Sequence, residues 1–287
     1  GVIAVIGTYT SGAALAAAPI YSAANVIQTS DGTSDELTAK GWKTFFRNAP
    51  PNSAEGLFTA EYLIKAKQYK RIAILSDRSS YATGLASAVE NAIALKNASG
   101  NIISKDFITA GTQDYSAVLT KIKASNPDVI YFSGYYTDGG LIRAQMAQLG
   151  LKAAFVGGDA NQNAAFAKIA GSAAQGAVII NVPAPENLPY PEAKKFLDDY
   201  VKAFGSQPPS IYTFTNADGL RAVFAAISAT QSTRTPILTA WMHTMKQNFN
   251  GLTGPFVWDV AGERIGSPMT AFEVQANGTY KVIYPAP

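Results

Sequence analysis

Residues able to do chemistry are few in this chain, and their types point to binding rather than turnover. The single histidine, His243, lies in an Ala-, Met- and Trp-rich helical stretch, where it reads as a structural or surface residue. There is no cysteine, which excludes thiol nucleophiles, zinc ribbons and disulfides. No G-x-S-x-G nucleophile elbow occurs. Gly7 and Gly12 have the spacing of the first two glycines of a phosphate loop. Ala13-Ala14, however, stand where phosphates and magnesium require Lys and Ser/Thr, and no G-x-G-x-x-G opens a helix. Asp77, Asp138 and Asp159 fall near expected strand ends without metal-ligand spacing, at places where aspartates usually cap helices.

What the strand ends do collect is hydroxyls, tyrosines and one acid: Ser11, Thr33, Tyr81, Tyr135 and Asp159. Hydroxyls beside helix N-termini suit a carboxylate, and an acid beside a tyrosine suits an ammonium. Taken singly, each reads as an ordinary loop residue. Taken together they describe a zwitterionic ligand, an amino acid.

The elements that position these residues begin at residue 2. The apolar run 2–6 stops at Gly7, a polar loop follows, and an Ala-rich stretch with high helix propensity comes next. That strand–turn–helix piece is the repeating unit of an open α/β sheet, whose ligands bind at strand carboxyl ends. Thr10 and Ser11 sit at such an end, and Ser11 is the expected N-cap. A strand is expected over 25–29, with a polar loop at 30–35 and a short helix after it. A further strand at 43–47 leads to the breaker cluster Asn48-Ala-Pro-Pro-Asn52. From 55 to 182 strand and helix patterns alternate strictly, with helices expected over 55–67, 81–97, 114–124 and 138–149 and strands between them. Such alternation implies a doubly wound, mainly parallel sheet. Pro183 to Pro189 forms a second breaker, followed by helical stretches at 191–204, 212–229 and 236–249. Strands at 254–258, 270–275 and 280–284 close the chain.

At 287 residues the chain suits two lobes rather than one. It is 47% apolar and 15% charged, with a net charge of +3 from scattered Lys and Arg, which argues against a nucleic-acid partner. No apolar run reaches membrane-spanning length. The expected lobes are 1–52 plus 183–253, and 53–182 plus 254–287, with a ligand cleft between them and three crossings. Residues 2–6 are apolar on both faces, the pattern of a central parallel strand, so further chain is expected before them.

An ordered series of motifs resembles the branched-chain amino-acid (Leu/Ile/Val) binding proteins of bacterial ABC importers, which have the type I periplasmic binding-protein fold. The matching stretches include Val5-Ile-Gly-Thr-Tyr-Thr-Ser-Gly12, Asp35-Glu-Leu-Thr38 with Phe46-Arg47, and Asp77-Arg-Ser-Ser-Tyr81-Ala-Thr-Gly84. Pro127-Asp-Val-Ile-Tyr-Phe132, Gly134-Tyr-Tyr136, Gly157-Gly-Asp159 and Phe249-Asn-Gly-Leu-Thr-Gly-Pro255 continue it, with Trp258-Asp259 and Gly262. The resemblance runs end to end and implies an N-terminal βαβα portion beyond Val2 that this sequence lacks, leaving the first lobe incomplete.

The resemblance also implies the site. Ser11 and Thr33, with backbone from Gly32, would take the ligand carboxylate, while Asp159 and Tyr135 would take the ammonium. Tyr9, Thr10, Asp31, Tyr81 and Tyr212 would wall the pocket. Tyr9 and Thr10 depart from the aliphatic residue and cysteine of the family's best-known members, and Asp159 is shorter than the glutamate of some relatives. The implied protein is a non-enzymatic, extracytoplasmic receptor, monomeric and free of cofactor or metal, that closes on an amino acid and hands it to an ABC permease. Two other readings share the fold class: a sensor domain for an amide or amino acid, and an α/β enzyme.

Overall fold

The computed structural model describes residues 1–244, 249–266 and 268–285. The chain divides into two compact units, Gly1–Pro51 with Pro183–Pro268, and Asn52–Val182 with Met269–Pro287. In chain order the first unit opens with β1 (Ala4–Ile6), α1 (Ser11–Ala23), β2 (Ile27–Ser30), α2 (Glu36–Ala39) and β3 (Phe45–Arg47). The second unit then runs α3 (Asn52–Glu61), β4 (Ile72–Ser76), α4 (Ser80–Leu95), β5 (Ile102–Phe107), α5 (Ser116–Ala124) and β6 (Val129–Ser133). It continues through α6 (Tyr136–Gln148), β7 (Ala154–Gly157), α7 (Ala164–Ala170) and β8 (Val178–Asn181). The chain returns to the first unit for α8 (Pro191–Phe204), α9 (Tyr212–Thr230), α10 (Thr235–His243), β9 (Phe249–Gly251), β10 (Gly254–Trp258) and β11 (Arg264–Ile265). Two last strands, β12 (Thr270–Val274) and β13 (Tyr280–Tyr284), belong to the second unit.

The first unit holds a parallel sheet in the order β1-β2-β3 and an antiparallel one in the order β11-β10-β9. Ile27, Phe46, Val223, Leu238, Met242, Phe256 and Trp258 pack as its main core. The second unit is a seven-stranded sheet, β13-β12-β8-β7-β6-β4-β5, parallel from β8 to β5 and antiparallel where β12 and β13 join. Its strands alternate between two cores, as a period of two requires. Ile72, Ile74, Val129 and Tyr131 pack on one face, and Ala73, Leu75, Ile130 and Phe132 on the other. Both faces are therefore covered by helices, which is why these strands read as continuous apolar runs.

Three expectations need correction. Residues 254–268 stay with the first unit instead of leaving at 254. The cause is a set of bonds to the end of β3: Trp258 Nε1 donates to the Arg47 carbonyl at 2.5 Å, and Arg47 Nε pairs with Glu263 at 2.8 Å. Arg264, buried with its guanidinium 3.9 Å over the Phe256 ring, donates to the Asn48 carbonyl at 2.6 Å. The helix expected over 236–249 ends at His243, and Phe249 opens a strand; residues 245–248 of that expectation lie outside the described residues. The N-cap of α1 is Thr10, whose hydroxyl accepts from the Ala13 N–H at 3.3 Å, not Ser11.

Candidate ligand-binding site

Parallel strands that end together leave their following loops together, and the expected site residues lie in those loops or the helix starts after them, except Tyr212, which opens α9. In the first unit Tyr9 and Thr10 follow β1, Ser11 opens α1, and Asp31, Gly32 and Thr33 follow β2. Ser11 is buried, and its hydroxyl accepts from the Ser34 N–H at 3.1 Å. That bond holds the β2 loop against the start of α1. The hydroxyl proton of Ser11 is not used in it. Thr33 is buried as well, and its hydroxyl oxygen has no hydrogen-bond partner. An unmet buried hydroxyl costs free energy unless something supplies the bond.

Gly32 makes this loop possible by its lack of a side chain. A Cβ there would lie 2.9 Å from Leu37 Cδ1, 3.2 Å from Ser11 Cα and 3.3 Å from Ala14 Cβ. Its N–H donates to Ser30 Oγ at 3.0 Å, and its carbonyl accepts from the Arg47 guanidinium. The backbone donor expected from Gly32 for a carboxylate is thus committed inside the loop. Asp31 turns away to α9, accepting from Thr215 Oγ1 at 2.7 Å and from the Asn216 amide. It fastens the loop to a helix. Tyr9 and Tyr212 meet edge to face, with ring centroids 5.0 Å apart.

In the second unit the residues follow neighbouring strands β4, β6 and β7. Asp159 is buried at the end of β7, and its Oδ1 accepts from the Tyr81 hydroxyl at 2.5 Å. The same hydroxyl oxygen accepts from the Ala160 N–H at 3.3 Å. Tyr81 therefore orients the acid, a closer role than the wall expected of it. The Tyr135 ring lies 5.2 Å from that of Tyr81. Burial, then the charges of Asp77 and Asp159, push the Tyr135 hydroxyl above its ordinary titration range, so it stays a neutral donor. Asn181 donates to the Asp159 carbonyl at 3.2 Å and fixes the backbone behind it.

Sequence reasoning missed Glu55. It is buried on α3, and its Oε1 accepts from the Asp159 N–H at 3.1 Å. Burial first, and then the neighbouring Asp159 charge, hold its carboxyl well above the usual carboxylate range. Gly158 leaves room for the cluster: a Cβ there would sit 2.6 Å from Leu85 Cδ2 and 3.0 Å from both Glu55 Oε1 and the Tyr81 hydroxyl. In the sequence Glu55 looks like one more acid in a helix's first turn, where acids are common for dipole reasons. Nothing in its spacing ties it to residue 159. Arg47 was quoted only as part of a motif; its tie to the Gly32 carbonyl depends on β3 lying beside β2.

His243 is structural: Nδ1 lies 2.9 Å from the Asp259 carbonyl and Nε2 2.8 Å from that of Lys43. Among the described residues no group of three or more His, Asp or Glu side chains could hold a metal ion. No helix among them is long and apolar enough to cross a membrane.

Each α/β unit places polar residues in the loops that follow its parallel strands, where open α/β sheets bind small ligands. The chain belongs to the periplasmic binding protein family, whose pattern it matches over residues 1–279. It is 30% identical over 280 residues to the Leu/Ile/Val-binding protein of Escherichia coli (strain K12), an alignment covering 97% of this chain and 74% of that one. The leucine binding protein LivK of Thermotoga maritima superposes with a TM-score of 0.89 at 26% identity, covering 98% of this chain and 79% of that one. LivJ of Streptococcus pneumoniae, solved in complex with isoleucine, gives 0.84 at 27% identity over 98% and 79%. The fold is accordingly that of a type I periplasmic binding protein, and the family is extracytoplasmic and solute-binding rather than enzymatic.

Proposed function

We propose that this protein is the receptor component of an ABC importer for an amino acid with an aliphatic or related side chain. The observation that carries the reading is Asp159, a buried acid at a strand end with one oxygen oriented by Tyr81. An oriented, buried carboxylate suits the α-ammonium of an amino acid, which it can bind by charge-assisted hydrogen bonds. Thr33, whose buried hydroxyl lacks a partner, and Ser11, at the start of α1, would take the carboxylate with help from the helix N-terminus. Tyr135 would donate its neutral hydroxyl beside the ligand, while Tyr9, Tyr81 and Tyr212 offer aromatic walls. Gly32 and Asp31 shape the loop rather than touch the ligand, and Thr10 caps α1. The leucine- and isoleucine-binding relatives support the side-chain class. Ligand capture would be followed by closure of the two units and recognition by a permease, with the receptor acting as a secreted or lipid-anchored monomer.

The test is a thermal-shift screen against leucine, isoleucine, valine and threonine, with 4-methylpentanoate as leucine without its amino group. Ligand that binds only the folded state raises the midpoint, by about 2.7 kcal/mol of stability at a hundred times Kd. A rise with leucine and none with 4-methylpentanoate is expected. A rise with 4-methylpentanoate equal to that with leucine would remove the ammonium site.

A further inference from the structure

Of four consecutive N–H groups in the loop after β2, three are tied down inside the first unit. Asp31 donates to the Thr8 carbonyl at 3.1 Å, Gly32 to Ser30 Oγ at 3.0 Å and Ser34 to Ser11 Oγ at 3.1 Å. The fourth belongs to Thr33, which is buried, and none of the described residues accepts from it. The peptide carrying that N–H is gripped at its other end. Its carbonyl, that of Gly32, accepts from Nη1 of Arg47, a residue with 0% exposure. The remaining sides of the guanidinium are occupied too: Nε pairs with Glu263 Oε1 at 2.8 Å, and Nη2 donates to Thr38 Oγ1 at 3.1 Å. The Thr38 hydroxyl donates in turn to Glu263 Oε2 at 2.9 Å, which closes a ring. Glu263 balances the guanidinium charge, so what Arg47 brings to the loop is geometry rather than net charge.

We propose that Arg47 is a positioning residue of the ligand site, which aims the Thr33 N–H at the ligand carboxylate by holding the Gly32 carbonyl. The proposal rests on the reading of this loop as the carboxylate end of the site. The Gly32–Thr33 peptide is trans and planar, so its carbonyl and its N–H point in opposite directions. Fixing the carbonyl on the guanidinium therefore fixes the N–H on the far side. A charged donor on the carbonyl also polarises the peptide and strengthens its N–H as a donor. Arg47 does not touch the ligand in this arrangement, because its donors are spent on Glu263, Thr38 and Gly32. Only a planar fork meets three acceptors on three sides, which a lysine ammonium on a flexible stem does not. Thr33 then offers two donors, its hydroxyl and its N–H, and a carboxylate accepts both. The NH₂ group of a carboxamide, itself a donor, accepts neither.

The deciding experiment is calorimetry of the full chain with leucine and with leucinamide at pH 6, where both ligands keep their ammonium. Wild type should prefer leucine. Arg47→Lys should bind leucine about 10–100-fold more weakly, the equivalent of one lost hydrogen bond to a charged group, with leucinamide affected far less. NMR of the ligand-free proteins supplies a second readout: the Gly32 carbonyl ¹³C and the Thr33 amide proton should both move upfield in Arg47→Lys. Should that variant fail to fold, Thr38→Val loosens the fork and leaves the Arg47–Glu263 pair in place. It should lower the ratio of leucine to leucinamide affinity and move the same two signals, each by less. Equal losses for the two ligands would make Arg47 a support of the fold alone and overturn the proposal. Unmoved Gly32 and Thr33 signals would overturn it as well. Wild type that binds leucine no better than leucinamide would instead defeat the reading of this loop as the carboxylate end, and the proposal with it.

Discussion

Thr33 and Asp159 are given different parts by the proposed function, and each can be tested alone. Thr33 contributes no hydrogen bond to the fold through its hydroxyl, so Thr33→Val is expected to leave stability unchanged or slightly raised. Leucine binding should nevertheless weaken by about 1–3 kcal/mol, the cost of a lost bond at a buried position. Urea melts and calorimetry on the same protein separate the two effects. Asp159→Asn keeps an oxygen for the Tyr81 hydroxyl but removes the charge. Calorimetry should then show leucine binding weakened by about 2–5 kcal/mol, the range for removing one partner of a buried charge pair. An affinity equal to wild type would dismiss the ammonium assignment. The placement of Thr33 and Asp159 in loops after strands was legible in the sequence, because polar loops there follow short apolar runs. The carboxyl of Glu55 was not, since its pairing joins residues a hundred positions apart and leaves no local signal.

Local patterns fix elements better than they fix what elements do to one another. The βα alternation of the second unit was readable because each parallel strand is buried on both faces and each helix has its own period. Phe249 was not readable as a strand residue: an apolar position after a helical stretch satisfies helix and strand patterns alike, and antiparallel pairing with Phe256 decides it. The sequence points to Ser11 as the cap, and the backbone turn places the cap one residue earlier, at Thr10. The contact between the β2 loop and α1 belongs to this scale. Gly32→Ala places a methyl group against Ser11 and Leu37, of which only the leucine tip can move easily. Overpacking of this kind costs about 1–3 kcal/mol. The expected outcome is a lower urea midpoint with unchanged slope, together with weaker leucine binding, because Thr33 is the next residue.

At the scale of the molecule, the Glu55 carboxyl ties stability to pH. Its folded form holds a proton well above the ordinary glutamate value of 4.5, so the folded chain binds more protons than the unfolded chain across that window. Stability must then fall as pH rises through the window, by at most about 1.4 kcal/mol per pH unit. Glu55→Gln removes this slope, so the variant should gain on wild type in urea unfolding at pH 8 compared with pH 4. An equal difference at both values would show that Glu55 does not titrate as described. The two-unit division was anticipated from the breaker clusters at 48–52 and 183–189, which punctuate the chain with prolines. The crossing at Pro268 was not, because it follows from Arg47, Asn48 and Glu263 bonding around β3, a long-range fact.

Strands β12 and β13 close the second unit's sheet on β8, although residues 183–268 of the first unit are made in between. During synthesis, β8 therefore waits with an open, apolar edge while more than eighty residues of the other unit leave the ribosome. At about 5–20 residues per second that interval lasts on the order of several seconds, long beside the microseconds in which hairpins form. For all that time Ile179 and Ile180 lack the antiparallel neighbours Phe272 and Ala271 that will cover them. The nascent chain is most open to mispairing and to chaperone capture in this interval, and its last strands act as the latch that ends it.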